Sequence, residues 1–150
     1  MRVLVVVEDD PDLALLIEIT LSGDPRIEMF GGASTALAAI ELAREGQPSL
    51  IVLDHFINGD IMGLEAAPML KAVAPEAKIL LFTSHPLEVE ADREPAIDAF
   101  LRKSNITELL PTARRLLGLD PRTGAPTAPG SISGATTARG DATASRSVKA

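Results

Sequence analysis

Leu50-Ile51-Val52-Leu53-Asp54 sets four apolar residues in a row, without alternation, ahead of a carboxylate. A strand with one wet face alternates apolar and polar residues, whereas an unbroken run like this one suits a parallel strand covered by helices on both faces. Open parallel sheets carry their chemistry just beyond the carboxyl ends of the strands, and Asp54 falls at such an end. Val3 to Val7 repeats the pattern and delivers Glu8, Asp9 and Asp10. If the two strands are neighbours, their tips gather carboxylates, which implies solvent, a raised pKa or a bound cation.

Outward from these two strands, the rest of the body alternates helix and strand. Pro11 can take a first helical position, and Leu13, Leu16, Ile17 and Leu21 recur at helical spacing until Gly23-Asp24-Pro25 stops them. Arg26 to Phe30 reads as a second strand running into Gly31-Gly32, after which Ser34 is the expected N-cap of a helix bearing Leu37, Ile40 and Ala43. That helix ends before Gly46-Gln47-Pro48 and leaves Glu41, Arg44 and Glu45 to solvent. Past Asp54, a loop from His55 to Gly63 leads to a third helix over about 64–73, with Pro68 in its first turn or at a kink. Lys78 to Phe82 is a fourth apolar strand that presents Thr83 and Ser84. The acidic stretch 87–95 carries little apolar periodicity, so its helix is weakly marked. Ile97 to Leu101 forms a fifth strand with Lys103 just past its end. Asn105 and Glu108 have capping-box spacing ahead of a last helix whose apolar face is Ile106, Leu109, Leu110, Ala113, Leu116 and Leu117, with Pro111 able to bend it. Five strands alternating with helices argue a parallel α/β sandwich, without fixing the strand order.

The 150 residues and 46% hydrophobic content fit one domain over 1–119. From Asp120 on, small and polar residues dominate, with Ile132 and Val148 the only large aliphatics. Such a segment buries too little to offset its ordering entropy and is expected to be a disordered tail. Arg122, Arg139, Arg146 and Lys149 against Asp120 and Asp141 put the tail at +2, which leaves residues 1–119 at −9. An acidic body disfavours the phosphate backbone of nucleic acid. The absence of cysteine excludes disulfides, thiolate metal sites and a cysteine nucleophile. The first apolar run is too short for a signal sequence or a membrane span, so a cytoplasmic protein is expected.

Glu8, Asp9 and Asp10, then Asp54, then Thr83 and Ser84, then Lys103 all fall at strand ends, hence along one sheet edge. Carboxylates for a hard cation, a hydroxyl and an ammonium are the parts needed to hold a phosphoryl group and neutralise its charge during transfer. Asp54 is the candidate nucleophile. Taken singly, each has a plainer explanation: the acids cap a helix N-terminus, Thr83 and Ser84 cap the next helix, Lys103 is a surface lysine. Their joint placement disfavours those explanations. His55 and His85 flank the site without a paired ligand spacing and read as loop residues.

In this order, Val5-Val6-Val7-Glu8-Asp9-Asp10-Pro11, Leu50-Ile51-Val52-Leu53-Asp54, Gly63-Leu64-Glu65, Leu81-Phe82-Thr83-Ser84 and Phe100-Leu101-Arg102-Lys103 resemble the receiver domain of two-component response regulators, across residues 1–119. The resemblance implies a flavodoxin-like, doubly wound α/β fold with a five-stranded parallel sheet in the order 2-1-3-4-5 and helices on both faces. It implies a phosphorelay role in which Asp54 accepts a phosphoryl group from a histidine kinase or histidine phosphotransfer protein, with Mg2+-dependent self-phosphorylation and self-dephosphorylation. By the same resemblance, Asp9 and Asp54 ligate Mg2+, Glu8 helps through water and the Phe56 backbone carbonyl completes the set. Thr83 bonds a phosphoryl oxygen, Lys103 pairs with Asp54 and then with its phosphate, and Phe100 stands at the aromatic switch position. Three features depart from the family pattern: Gly63 lies nine positions after Asp54 with no proline between, Thr83 and Lys103 are only twenty apart, and Ser104 replaces the proline that commonly follows the lysine.

The expectation is a stand-alone receiver that signals through an unknown downstream protein, without binding nucleic acid or membrane. The alternative is a receiver-like adaptor whose contacts do not depend on phosphate. A flavin or nucleotide domain would want a Gly/Ser/Thr-rich cradle after the first strand, where this chain has acids.

Overall fold

The computed structural model describes residues 1–7 and 10–119. Glu8, Asp9 and the segment 120–150 lie outside the described residues. In chain order the elements are β1 (Arg2–Val6), α1 (Pro11–Leu21), β2 (Glu28–Ala33), α2 (Ala36–Gly46), β3 (Leu50–Leu53), α3 (Gly63–Val73), β4 (Lys78–Thr83), α4 (Glu88–Arg93), β5 (Ala99–Arg102), a 3-10 stretch (Lys103–Glu108) and α5 (Leu109–Leu117). The strands form one sheet in the order β2-β1-β3-β4-β5, and every pairing is parallel.

The unbroken apolar runs are explained by two cores, one on each sheet face. Leu4, Val6, Ile51, Leu53, Ile79 and Leu81 pack with residues of α2, α3 and α4. Val3, Val5, Leu50, Val52, Leu80 and Phe82 pack with residues of α1 and α5. Alternate residues of each strand point to opposite faces, so a strand covered twice needs apolar side chains at every position.

Several local expectations shift. β2 starts at Glu28 and runs through Gly31-Gly32, because a register break leaves Phe30 as the extra residue: Val3 pairs with Met29, and Leu4 with Gly31. The Phe30 ring occupies the space of a Gly46 side chain, whose Cβ would sit 1.9 Å from a ring carbon, and the Arg2 guanidinium lies 4.2 Å above that ring. Gly46 is thus the last residue of α2, and Gln47 takes the left-handed cap at φ 45°. Thr35, rather than Ser34, caps α2 by accepting from Ala38 N–H at 3.1 Å. Leu16 and Leu37 stay exposed while Ile17, Ala39 and Ala43 carry the burial.

At the far end of the chain, β5 begins at Ala99, with Ile97 buried just ahead of it. Asn105 and Glu108 form no capping box. Residues 103–108 wind as a 3-10 stretch in which Asn105 leaves helical geometry, and α5 follows from Leu109. Pro111 falls in the first turn of α5, where its missing N–H costs nothing. Pro68, by contrast, sits inside α3.

Candidate functional site

Parallel pairing carries Asp54 to the carboxyl edge, where its N–H continues the ladder by donating to Val6 O at 2.9 Å. The residue is 4% exposed. Its Oδ1 accepts from His55 N–H at 2.7 Å and its Oδ2 from Lys103 Nζ at 2.5 Å. The buried carboxylate therefore keeps a cation and an amide, as a buried charge requires.

Gly63 shapes the loop after Asp54. A Cβ there would lie 2.2 Å from the Asp54 carbonyl oxygen and 2.7 Å from His55 Cα, so only glycine lets α3 start this close to the acceptor. Gly63 N–H closes the loop on His55 O at 2.7 Å. At the tip of the loop Gly59 turns at φ 95°, Ile57 is buried and Asn58 N–H donates to Ser34 O at 2.8 Å.

Thr83 ends β4 fully buried, and its Oγ1 accepts from His85 N–H at 3.4 Å. Strand alternation puts it on the face of Leu81, whose partner across β5 is Phe100. Phe100 is half-buried against that same core. Asp54, Thr83, Phe100 and Lys103 are thus assembled along β3, β4 and β5. Of the acids after β1, Asp10 caps α1 by accepting from Leu13 N–H at 3.1 Å; Glu8 and Asp9 are the two outside the described residues.

Phe56, 44% exposed, lies against both histidines, 4.8 Å from the His55 ring and 4.2 Å from that of His85. Burial holds His55 below the usual imidazole range against the opposing pull of Asp54. Its Nδ1 accepts from Leu64 N–H at 3.3 Å, which puts the proton of the neutral ring on Nε2. The histidines are loop residues with aromatic neighbours.

Sequence reasoning passed over Asp24, which is 1% exposed. Arg26 reaches both its oxygens, at 2.9 and 2.6 Å, and Arg114 of α5 reaches Oδ2 at 2.9 Å. Bonding to Arg26 holds the Asp24 carboxyl well below the usual carboxylate range, against the cost of burial. An aspartate in a Gly-Asp-Pro turn gives no hint of partners ninety positions away.

A carboxylate, a backbone carbonyl at Phe56 and two further acids at 8 and 9 are all hard oxygen donors, which suits Mg2+. Among the described residues no three acids or histidines gather, since two of the four proposed donors lie outside them. No helix among the described residues is long and apolar enough to cross a membrane.

Residues 4–113 match the family model of the response regulator receiver domain. The response regulator protein VraR of Staphylococcus aureus is 30% identical over 107 residues, covering 69% of this chain and 51% of VraR. The chain spans about half the length of the curated relatives it matches. Among solved structures, the response regulator domain of Thermotoga maritima CheB superposes with a TM-score of 0.68 at 25% identity, covering 81% of this chain and 98% of that one. The signal receiver domain of the putative response regulator NarL from Mycobacterium tuberculosis gives 0.69 at 25% identity, covering 78% and 95%. The strand order, the acceptor edge and these likenesses agree: this chain belongs to the response regulator receiver domain family of two-component signalling.

Proposed function

We propose that Asp54 accepts a phosphoryl group from the phosphohistidine of a histidine kinase or histidine phosphotransfer protein. An Asp54 oxygen attacks phosphorus while the bond from phosphorus to the donor's imidazole nitrogen breaks, giving an aspartyl phosphate and a free imidazole. Attack by water on the same phosphorus returns the carboxylate and inorganic phosphate, so the domain resets itself. Lys103 stabilises the carboxylate before transfer and turns to the added phosphoryl oxygens after it, and the Thr83 hydroxyl donates to one of them. Glu8, Asp9, Asp54 and the Phe56 carbonyl would hold Mg2+, which when bound supplies positive charge to the phosphoryl oxygens.

The observation that carries this reading is the Lys103–Asp54 pair, a cation held 2.5 Å from a buried carboxylate at the edge where Thr83 also ends its strand. The donor protein needs a surface to dock on, and α1, which follows the acidic turn, exposes Leu15, Leu16 and Ile19 together. Large apolar side chains clustered in water mark a site of protein contact.

The signal leaves by protein contact, at the face of α4, β5 and α5. There Phe100, Glu88, Arg102, Asn105 and Glu108 line a cavity of about 280 Å3. Arg102 bonds Glu88 at 2.8 Å across that face and lowers its carboxyl pKa. The −9 on residues 1–119 weighs against a nucleic-acid backbone as the direct partner of this stretch and favours a protein. Incubation with a small phosphodonor and Mg2+, followed by peptide mass mapping, tests the acceptor. Phosphate on Asp54 is the expected result. Phosphate on Thr83 or a histidine, with Asp54 unmodified, overturns it, and failure to bind Mg2+ at any concentration replaces it with the phosphate-independent adaptor.

A further inference from the structure

The chain has four phenylalanines and neither tyrosine nor tryptophan. Phe82 is buried, Phe30 fills the space beside Gly46, and Phe100 is half-buried against the core. The fourth, Phe56, keeps 44% of its surface in water, two residues past the acceptor. A single exposed apolar residue is ordinary, but this ring is held in place. His55 meets it edge-on, with centroids 4.8 Å apart and planes at 81°, and His85 lies against it at 4.2 Å and 52°. The His55 ring is itself fixed by the Leu64 N–H on its Nδ1. Phe56 follows Asp54 by two positions and His85 follows Thr83 by two, so their contact joins the loops that leave β3 and β4 at the acceptor edge.

We propose that the open part of the Phe56 ring stacks on the imidazole of the phosphodonor during transfer, which makes Phe56 a residue that selects an aromatic leaving group. The inference rests on Asp54 as the acceptor. In an in-line displacement the leaving group departs on the side of phosphorus opposite the attacking oxygen. Asp54 is 4% exposed, so its oxygen attacks from a recess and the donor ring stays outside, at the mouth. There the bond from phosphorus to nitrogen breaks, its electron pair returns to the ring nitrogen, and the imidazole leaves neutral with its proton on the other nitrogen.

Aromatic rings attract one another in offset and edge-to-face arrangements beyond the area they bury. A phenyl ring that meets the imidazole in the transition state lowers the barrier for that donor and gives nothing to a donor whose leaving group is ammonia. Because His55 and His85 already hold the Phe56 ring, little side-chain freedom is lost when the donor arrives.

Two small donors separate the ring from the bond that breaks. Monophosphoimidazole and phosphoramidate both carry a phosphorus–nitrogen bond, and only the first releases an aromatic ring. With the full chain and Mg2+, the second-order rate constant for each donor is followed by intact mass, with the phosphate located by peptide mapping, and the ratio of the two is compared between variants. Phe56→Leu keeps an apolar side chain and the backbone carbonyl but removes the π face, so the ratio of monophosphoimidazole to phosphoramidate should fall about fivefold, while Phe56→Tyr should retain it. His85→Ala, which removes only a neighbour of the ring, should lower the ratio by less. An unchanged ratio in Phe56→Leu overturns the proposal, including the case where both rate constants fall together, which places the effect in the loop. A ratio lost in His85→Ala and kept in Phe56→Leu overturns it in favour of His85 as the stacking ring. Failure of the acceptor is a separate outcome: no phosphate on Asp54 of the parent from either donor overturns that reading, and this inference with it.

Discussion

Lys103 and Asp54, 49 positions apart in sequence, meet through an Nζ–Oδ2 hydrogen bond of 2.5 Å that joins the end of β5 to the end of β3 across β4. This contact requires the strand order, because each residue only follows its own strand. Asp54→Asn keeps the shape and removes the nucleophile, so it should abolish phosphorylation and leave the circular dichroism spectrum unchanged. Lys103→Ala should slow phosphorylation by about tenfold or more, as loss of a charge-stabilising donor commonly does. Chelation of divalent cations should stop the reaction in the parent protein, measured by intact mass. Continued modification of Asp54 in excess chelator would show that the cation is dispensable.

Among the described glycines, Gly63→Ala should be the costliest substitution. It drives a Cβ to 2.2 Å from the Asp54 carbonyl oxygen, and backbone cannot swing aside as a side chain can. A loss of about 2–3 kcal/mol in a denaturant titration is expected, together with impaired phosphorylation. Gly31→Ala, which meets open space, serves as the silent control.

Asp24→Asn should destabilise by about 3 kcal/mol, the low end for breaking a buried ion pair, because the Arg26 and Arg114 side chains keep 28% and 22% of their surface exposed. The sign of the pH effect follows from the lowered pKa. Below the ordinary carboxylate value the unfolded chain binds a proton that the folded chain refuses, so this stabilisation is full above about pH 4 and fades as pH falls further. Thermal unfolding from pH 6 to pH 2.5 should show a smaller acid-induced drop in Asp24→Asn than in the parent.

Ile19→Glu puts a charge in the exposed strip of α1 and touches nothing at Asp54. Transfer from a cognate phosphohistidine protein should fall several-fold, and phosphorylation by a small donor should not change. Equal loss with both donors would mean that the substitution disturbs the fold, and no loss with either would move the docking surface elsewhere.

A chain ending at Leu119 should fold and phosphorylate as the full chain does. The segment beyond has only two large aliphatics, too few to add to the core. A fall in Tm of more than a few degrees would count against that expectation.

The residues that decide the architecture were legible in the sequence because burial on two faces writes itself into a strand without reference to partners. Leu50 to Leu53 and Val3 to Val7 could be placed in a parallel α/β sheet on that ground, and the groups at their ends followed. Periodicity was a weaker guide on the helices. Leu16 and Leu37 sit at helical spacing yet face water, since a spacing rule finds an apolar stripe but does not say which side of it meets the sheet. The expected cap at Asn105 failed because β5 runs one residue further and the chain then turns through a 3-10 stretch before α5.

By itself, then, the sequence determined the succession of elements and the chemical inventory at the strand ends, both local properties of side-chain type and order. Only tertiary structure decided which of those groups meet. The Lys103–Asp54 bond, the tethering of Asp24 by Arg26 and Arg114, and the requirement for glycine at position 63 all depend on distances between segments far apart in the chain or folded back on each other. Those distances are set by how two helical layers pack on a twisted sheet, a property of the whole fold that no single stretch of residues encodes.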